Sequence, residues 1–461
     1  MLYGALRATA AIALRWYYAD VVVQGPERAP RDGPLVLVAN HPNALIDPLL
    51  VGTALRRRVL LTAKATLFES PALAALLHAV GVVPLRRAKD ESASGAATGA
   101  SAESMRTRNA EAFRLVTNAL LGGQAILVFP EGISHDDPSI APLKSGAARM
   151  ALQARDEGAV GLHVLSLGLI YEEKERPGSR VLVRIGDPLA LDEWVASAPS
   201  KDASALTAEL DARLREVTLN FATPEQAARA VGLAGTLVAI ASTPATLDAP
   251  PSLDAEADVA RRIERATSAL PHASPVVTAA ADVLTARLQA IERALERRGM
   301  SLSDVRISPR LRPGAWFVVR EGAWAVLAGV AAVLGGWTHW IPLTLARRLA
   351  LGSLRGDPSR DQPAMRTILL GIAFVLVWYG ALLVLLVRWR GWSWAILAIA
   401  ILFMTAHVHR RLHGRFRRAA RRARTYLALR ADPALQDRVI AEIDALLSDA
   451  VALERALEQR D

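Results

Sequence analysis

Hydrophobic positions in the first half of the chain fall in short unbroken runs, separated by segments of helical period. Pro34-Leu35-Val36-Leu37-Val38-Ala39 and Ala125-Ile126-Leu127-Val128-Phe129 are continuous apolar segments of strand length, the pattern of strands covered on both faces. Val21 to Val23, Val59 to Leu61, Val82-Val83, Val164 to Ile170 and Val181 to Ile185 extend the series. Between them, Pro71 to Val80, Met105 to Leu121 and Gly146 to Asp156 repeat with helical spacing. The alternation predicts an α/β domain over residues 21–220, a central mixed sheet flanked by helices. Lys89 to Ser104 collapses to Ser, Ala, Gly and Thr and reads as a mobile surface loop.

The flanking segments have other patterns. In residues 1–20, Leu2, Tyr3, Leu6, Ile12, Leu14, Trp16 and Tyr17 are interspersed with Arg7 and Arg15. The apolar run is too short for a signal peptide or a spanning helix and predicts an N-terminal amphipathic, membrane-associated helix, a reading compatible with packing on the following domain. Residues 221–305 are Ala-rich and predict a helical connector or insert, broken at Thr243-Pro244 and Pro250-Pro251. A membrane region follows over 306–409. Its uncharged stretches are Gly322 to Ala346, Thr367 to Val387 and Gly391 to His409, against the roughly 20 apolar residues that cross a bilayer core as helix. Residues 367–387 and 391–409 predict a helical hairpin. Gly335-Gly336 and Pro342 interrupt the first stretch, which predicts a re-entrant or spanning segment over 322–346. Eight of the ten Trp lie at or after Trp316, most near the ends of these stretches, where an indole suits the headgroup level. Residues 410–461 predict basic C-terminal helices, and the run from Arg410 to Arg424 is spaced as a helix lying along anionic lipid.

Composition supports a membrane protein. Hydrophobic residues make up 52% of the 461 and charged residues 22%, more apolar surface than a soluble chain of this size buries. The net charge is +10, yet residues from Arg306 onward carry 23 Arg and 11 acids, so the first 305 are nearly neutral. That distribution excludes a broad nucleic-acid surface. Arg-rich connections flanking the hairpin predict that the basic segments lie in the cytoplasm. The absence of Cys removes disulfides, Cys-ligated metal and thiol nucleophiles. No metal is expected, because His and carboxylates show no ligand spacing.

Two constellations carry chemistry. Asn40-His41-Pro42-Asn43-Ala44-Leu45-Ile46-Asp47 follows the first buried-strand run, where open α/β sheets place their ligand crevice. A neutral imidazole takes a proton near neutral pH, and a carboxylate on its other nitrogen fixes the tautomer and stabilises the imidazolium. Phe129-Pro130-Glu131-Gly132-Ile133-Ser134-His135 ends the other buried strand, and Lys144 opens a helix nearby. A lysine and a helix N-terminus favour a phosphate. Gly81-Val82-Val83-Pro84-Leu85-Arg86-Arg87 delivers two guanidinium groups at a third strand end, and guanidinium matches phosphate bidentately.

The order His-x5-Asp, Gly-x-x-x-x-Arg, Phe-Pro-Glu-Gly and then an apolar strand resembles the motifs of the glycerolipid acyltransferase family, over roughly residues 20 to 190. The His-x5-Asp spacing resembles the branch of fungal-type glycerol-3-phosphate acyltransferases and their bacterial relatives. The resemblance implies His41 as general base, Asp47 as its orienter, and Arg86, Glu131 and Gly132 as holders of the acceptor. Asn43, Lys64 and Ser134 are further candidates for substrate contact. Ser134-His135 stands where many members have Ser-Arg, so that phosphate contact passes to Lys144 or Arg87, and the usual proline of the fourth motif is Ser166. The implied reaction moves a fatty acyl group from a thioester of coenzyme A or acyl carrier protein to glycerol 3-phosphate or 1-acylglycerol 3-phosphate, with no bound cofactor. The implied partners are membrane lipids, and the implied place is a bacterial inner membrane with the catalytic domain facing the cytoplasm. Another lysolipid or an unphosphorylated glycerol as acceptor, and a non-catalytic membrane-remodelling role, are the alternatives.

Overall fold

The structure is a computed structural model that describes residues 2–44, 46–64, 74, 82–85, 113–241, 252–269, 274–298, 300, 311–352 and 363–458. The loop expected over Lys89 to Ser104, most of the helix expected over Pro71 to Val80, and the turns at Thr243-Pro244 and Pro250-Pro251 lie outside them. The chain divides into two compact units, residues 1–224 with 354–368, and residues 225–353 with 369–461.

The first unit is built on one sheet of β1 (Asp20–Gln24), β2 (Leu35–Ala39), β3 (Val59–Lys64), β4 (Val82–Leu85), β5 (Ala125–Val128), β6 (His163–Tyr171), β7 (Arg180–Ile185) and β8 (Leu189–Ala190). Its order is β1-β7-β6-β2-β5-β3-β4, with β8 on β6. β6, β2, β5, β3 and β4 run parallel, and β7 turns back against β6. Alternation along β2 feeds two cores. Leu35, Leu37 and Ala39 pack with Leu50, Val51 and the N-terminal residues Leu14, Tyr17 and Tyr18 on one face. Val36 and Val38 pack with Ala147, Met150 and Ala151 on the other. Burial on both faces is why the strand sequence is continuously apolar rather than alternating.

The helix Leu2–Tyr17 belongs to this unit's core through Leu14 and Tyr17. Arg7 donates to the carbonyls of Gly52 and Leu55 at the end of the helix Ile46–Ala54, at 3.0 and 2.5 Å, a cation at a helix C-terminus. Its outer face, including Ile12 and Arg15, remains exposed.

Connections set the crevice. After β2 the chain passes through the helix Ile46–Ala54 to β3, on the far side of β5; after β5 it passes through the helix Gly146–Asp156 to β6, on the far side of β2. The two helices lie on opposite faces, so the loops leaving β2 and β5 diverge above neighbouring strand ends, the switch-point geometry of open α/β sheets.

The second unit is helical. Pro275–Glu296 and Pro433–Glu458 pack through Leu288, Ile291, Leu295, Val439, Ile443 and Leu446. Three segments are long and apolar enough to cross a membrane: Ala315–Gly352, Arg366–Arg390 and Trp392–Arg410. The helix Leu311–Gly352 is unbroken for 42 residues with Pro342 inside it, so neither the Gly-Gly pair nor the proline makes a turn there. Gly335 instead serves close packing, since a Cβ there would overlap the Thr405 carbonyl. The helix Trp392–Ala431 also continues through Arg410 without a stop. Within this unit His339 is buried and shares a 2.7 Å hydrogen bond with the Tyr379 hydroxyl.

Candidate active site

His41 sits two residues beyond β2, and Asp47 lies in the first turn of the helix that follows. The intervening loop brings them together by taking Ala44 to φ 35°, a left-handed conformation that costs a non-glycine residue roughly 1–2 kcal/mol. That turn is held at both ends: Ile46 N–H donates to Asn43 O at 2.9 Å, and Ala44 N–H donates to Ser134 Oγ at 3.1 Å. The result is a 2.9 Å hydrogen bond from His41 Nδ1 to Asp47 Oδ2. An ionised carboxylate only accepts, so Nδ1 carries the proton and Nε2 is left as the basic nitrogen. Among the described residues nothing else bonds Nε2. Phe129 stacks on the imidazole at 3.9 Å and 13°, which fixes the ring plane.

Asp47 is fully buried. Its Oδ2 also accepts Asn43 N–H at 2.7 Å, and its Oδ1 accepts the Tyr171 hydroxyl at 2.5 Å. The position in the first helical turn adds a favourable dipole. Burial, with the charge of Asp47 next, holds the Tyr171 hydroxyl well above the ordinary phenol range, and burial does the same for Tyr18. Both remain protonated donors. Asn43 is buried too; its amide donates to Tyr18 Oη at 3.1 Å and to Lys174 O at 3.5 Å.

Glu131 ties the two loops together. It is 2% exposed, its Oε1 accepts His41 N–H at 2.9 Å, and its Oε2 accepts Ala141 N–H at 2.7 Å and His135 Nε2–H. The hydrogen bond to Glu131, opposed by burial and aided by Asp137, raises the His135 pKa above the free imidazole value. Gly132 follows with φ +72°, and Lys144 lies directly over its α-carbon, where a side chain would collide with the ammonium group. Lys144 is exposed and, among the described residues, makes no ion pair.

The sequence-derived candidates therefore separate. His41, Asp47, Asn43, Glu131 and Ser134 form one hydrogen-bonded cluster, and Gly132 and Lys144 form its exposed rim. Glu131, Asn43 and Ser134, expected to touch substrate, spend these contacts within the chain: they pin the His41 loop. Lys64 ends β3, in register with Leu85 of the parallel strand β4. Arg86 and Arg87 lie outside the described residues. Sequence reasoning missed Tyr171, Tyr18, Lys174 and Asn40. Lys174 donates to Pro42 O at 2.5 Å and pairs with Asp136, linking both motif loops to the β6–β7 turn. Asn40 donates to Leu169 O at 3.1 Å and accepts Leu169 N–H at 2.7 Å, standing in for a strand neighbour where β2 has ended. An asparagine after a buried strand was the one available signal.

Residues 20–169 match the family model described as Acyltransferase. Over that span, about a third of its length, the chain is similar to the Acyltransferase family. An uncharacterized acyltransferase of Schizosaccharomyces pombe is 28% identical over 256 residues, 39% of this chain and 38% of that protein. Glycerol-3-phosphate O-acyltransferase 2 of Saccharomyces cerevisiae is 33% identical over 117 residues, 24% of this chain and 16% of that protein. Among solved structures, the 1-acyl-sn-glycerophosphate acyltransferase PlsC from Thermotoga maritima aligns with TM-score 0.35 and 21% identity, over 47% of this chain and 78% of that one. The chain thus spans well under half the length of the curated relatives it matches. The matched residues hold the whole His41 cluster except Tyr18, just before their start, and Tyr171 and Lys174, just beyond their end.

Proposed function

We propose that the protein is a membrane-associated acyltransferase that moves a fatty acyl group from a thioester of coenzyme A or acyl carrier protein to a hydroxyl of glycerol 3-phosphate or 1-acylglycerol 3-phosphate. The observation that carries the reading is the 2.9 Å His41–Asp47 hydrogen bond with Nε2 unengaged, at the crevice end of the sheet. His41 Nε2 takes the proton of the acceptor alcohol as its oxygen attacks the thioester carbonyl. The tetrahedral intermediate collapses to the ester and expels the thiolate, which leaves with the proton returned by the imidazolium. Asp47, bound to Nδ1–H, stabilises the transient imidazolium and prevents tautomer exchange. General-base assistance of this kind supplies about 10²–10⁴ in rate, and positioning supplies much of the rest.

Lys144 at the rim supports a phosphorylated acceptor, because an exposed ammonium group suits a phosphate. Three apolar helices support membrane association. The Arg-rich segments support a cytoplasmic face for the acyltransferase domain, with the bacterial inner membrane as the proposed compartment.

The test offers membranes containing the full chain a labelled acyl thioester with each acceptor, and identifies products by mass. Transfer to a glycerol phosphate that His41→Ala abolishes, with membrane association intact, is the expected result. Transfer only to unphosphorylated acceptors refutes the assigned substrate class. Equal transfer by His41→Ala and parent, or none by either, refutes the enzymatic reading.

A further inference from the structure

Tyr171 is the last residue of β6, 124 positions after the carboxylate its hydroxyl meets. The β2–β6 ladder ends at the pair Ala39–Leu167, so β6 outruns β2 by four residues, about 13 Å at strand rise. That overhang stays ordered on its other edge, where Tyr171 pairs with Val181 of β7, and Asn40 clasps Leu169 beneath it. Tyr171 therefore approaches Asp47 from a strand rather than from a loop. A group mounted on a regular element is aimed more narrowly than one on a loop.

The need for such a group follows from the geometry at Asp47. His41 Nδ1 and Asn43 N both donate to Oδ2. Rotation of an aspartate carboxylate about its last torsion is soft. Two donors on one oxygen leave the other edge of the carboxylate unheld, and rotation about Cβ–Cγ then carries Oδ2 and the imidazole bonded to it. A third donor on Oδ1 removes the freedom, and Tyr171 is the partner of Oδ1 among the described residues. Tyr18, 5.8 Å away ring to ring, backs the Tyr171 ring.

We propose that Tyr171 is a positioning residue for acyl transfer: its hydroxyl locks the rotation of the Asp47 carboxylate and through it aims His41 Nε2 at the acceptor oxygen. The inference rests on the His41–Asp47 mechanism proposed above. Tyr171 touches no reacting atom, so its effect falls on turnover rather than on acceptor binding.

The experiment compares Tyr171→Phe with Tyr17→Phe in the full chain. Tyr17 donates to Glu175 O at 2.8 Å on the same β6–β7 turn. Tyr171→Phe is expected to lower kcat on the order of 10- to 100-fold while KM for the acceptor stays within about twofold. Tyr17→Phe is expected to keep the parental kcat. A second readout is the His41 Nδ1–H proton resonance in ¹⁵N-histidine-labelled protein in detergent micelles, assigned by its loss in His41→Ala. It shifts in Tyr171→Phe and holds in Tyr17→Phe. Unchanged kcat and resonance in Tyr171→Phe, or equal effects of the two variants, overturn the inference. If the parent transfers no acyl group, the functional reading fails, and the resonance alone still decides whether Tyr171 governs the His41–Asp47 bond.

Discussion

Replacing Glu131 with glutamine probes the joint between the two motif loops without changing volume. The carboxylate serves three donors with two oxygens: His41 N–H at Oε1, and Ala141 N–H and His135 Nε2–H at Oε2. Glutamine has one acceptor oxygen and places an N–H₂ at the other position. Either His41 N–H or Ala141 N–H then faces a donor, and a buried unsatisfied group costs about 1–3 kcal/mol. In a unit of this size that lowers the unfolding midpoint by about 2–4 °C per kcal/mol. A pH signature separates this from general loosening. His135 has a raised pKa in the folded protein, chiefly through its bond to Glu131. Its contribution is fully present below the unfolded imidazole pKa of about 6.5 and is lost as pH rises through the higher folded value. Glu131→Gln removes it. The stability gap between parent and variant is therefore widest near pH 6 and narrows toward pH 9. Thermal unfolding of the full chain in micelles, read at both pH values, measures the gap. A gap that is constant or grows with pH refutes the assignment of the His135 shift to Glu131; a variant as stable as the parent at every pH refutes the joint itself.

Gly132→Ala forces a side chain into left-handed backbone at about 1–2 kcal/mol and pushes Lys144 off the rim. KM for a phosphorylated acceptor should rise more than kcat falls, and steady-state kinetics showing an unchanged KM would remove Lys144 from phosphate contact. Ser166, standing at the motif's usual proline, is buried with a hydroxyl lacking a hydrogen-bond partner among the described residues. Ser166→Ala should be neutral or raise the unfolding midpoint, because it deletes an unpaid desolvation; a clear drop would show that the hydroxyl has a partner after all.

The sheet was legible because each strand advertises its own burial. Leu35 to Ala39 and Ala125 to Val128 need apolar side chains on both faces, and no other element of that length does. His41 and Asp47 were legible for a related reason: a short loop between a strand end and a helix start leaves two polar groups six residues apart few places to go. The internal hydrogen bonds of Glu131, Asn43 and Ser134 were not legible. Each lies in a motif loop, but whether its polar atoms face the crevice or the neighbouring loop depends on how loops from β2 and β5 sit side by side, and that is fixed by sheet order. Tyr171 was hidden more deeply. It reaches Asp47 only because β6 is longer than β2, a difference in strand length that no local pattern encodes.

At the membrane end composition and backbone part company. Charge changes abruptly at Arg410, yet the helix continues through it. Arginine and alanine are as favourable in a helix as leucine, so the change of composition gives the backbone no reason to stop. Pro342 likewise falls within a helix whose neighbours in the second unit pack closely enough to hold it, as at Gly335 against Thr405. An unbroken helix from Trp392 to Ala431 alters the physics of the arginines. If residues 392–410 cross the bilayer, Arg424 stands about 21 Å farther along the axis than Arg410. In that case, with a Debye length of about 8 Å at physiological salt, a charge that far along the axis lies beyond the reach of anionic headgroups. The same helix supplies Leu429 to the core shared with Leu288 and Val439. A helix continuous from Trp392 to Ala431 that crosses the bilayer over 392–410 would carry its later turns away from the membrane surface rather than along it.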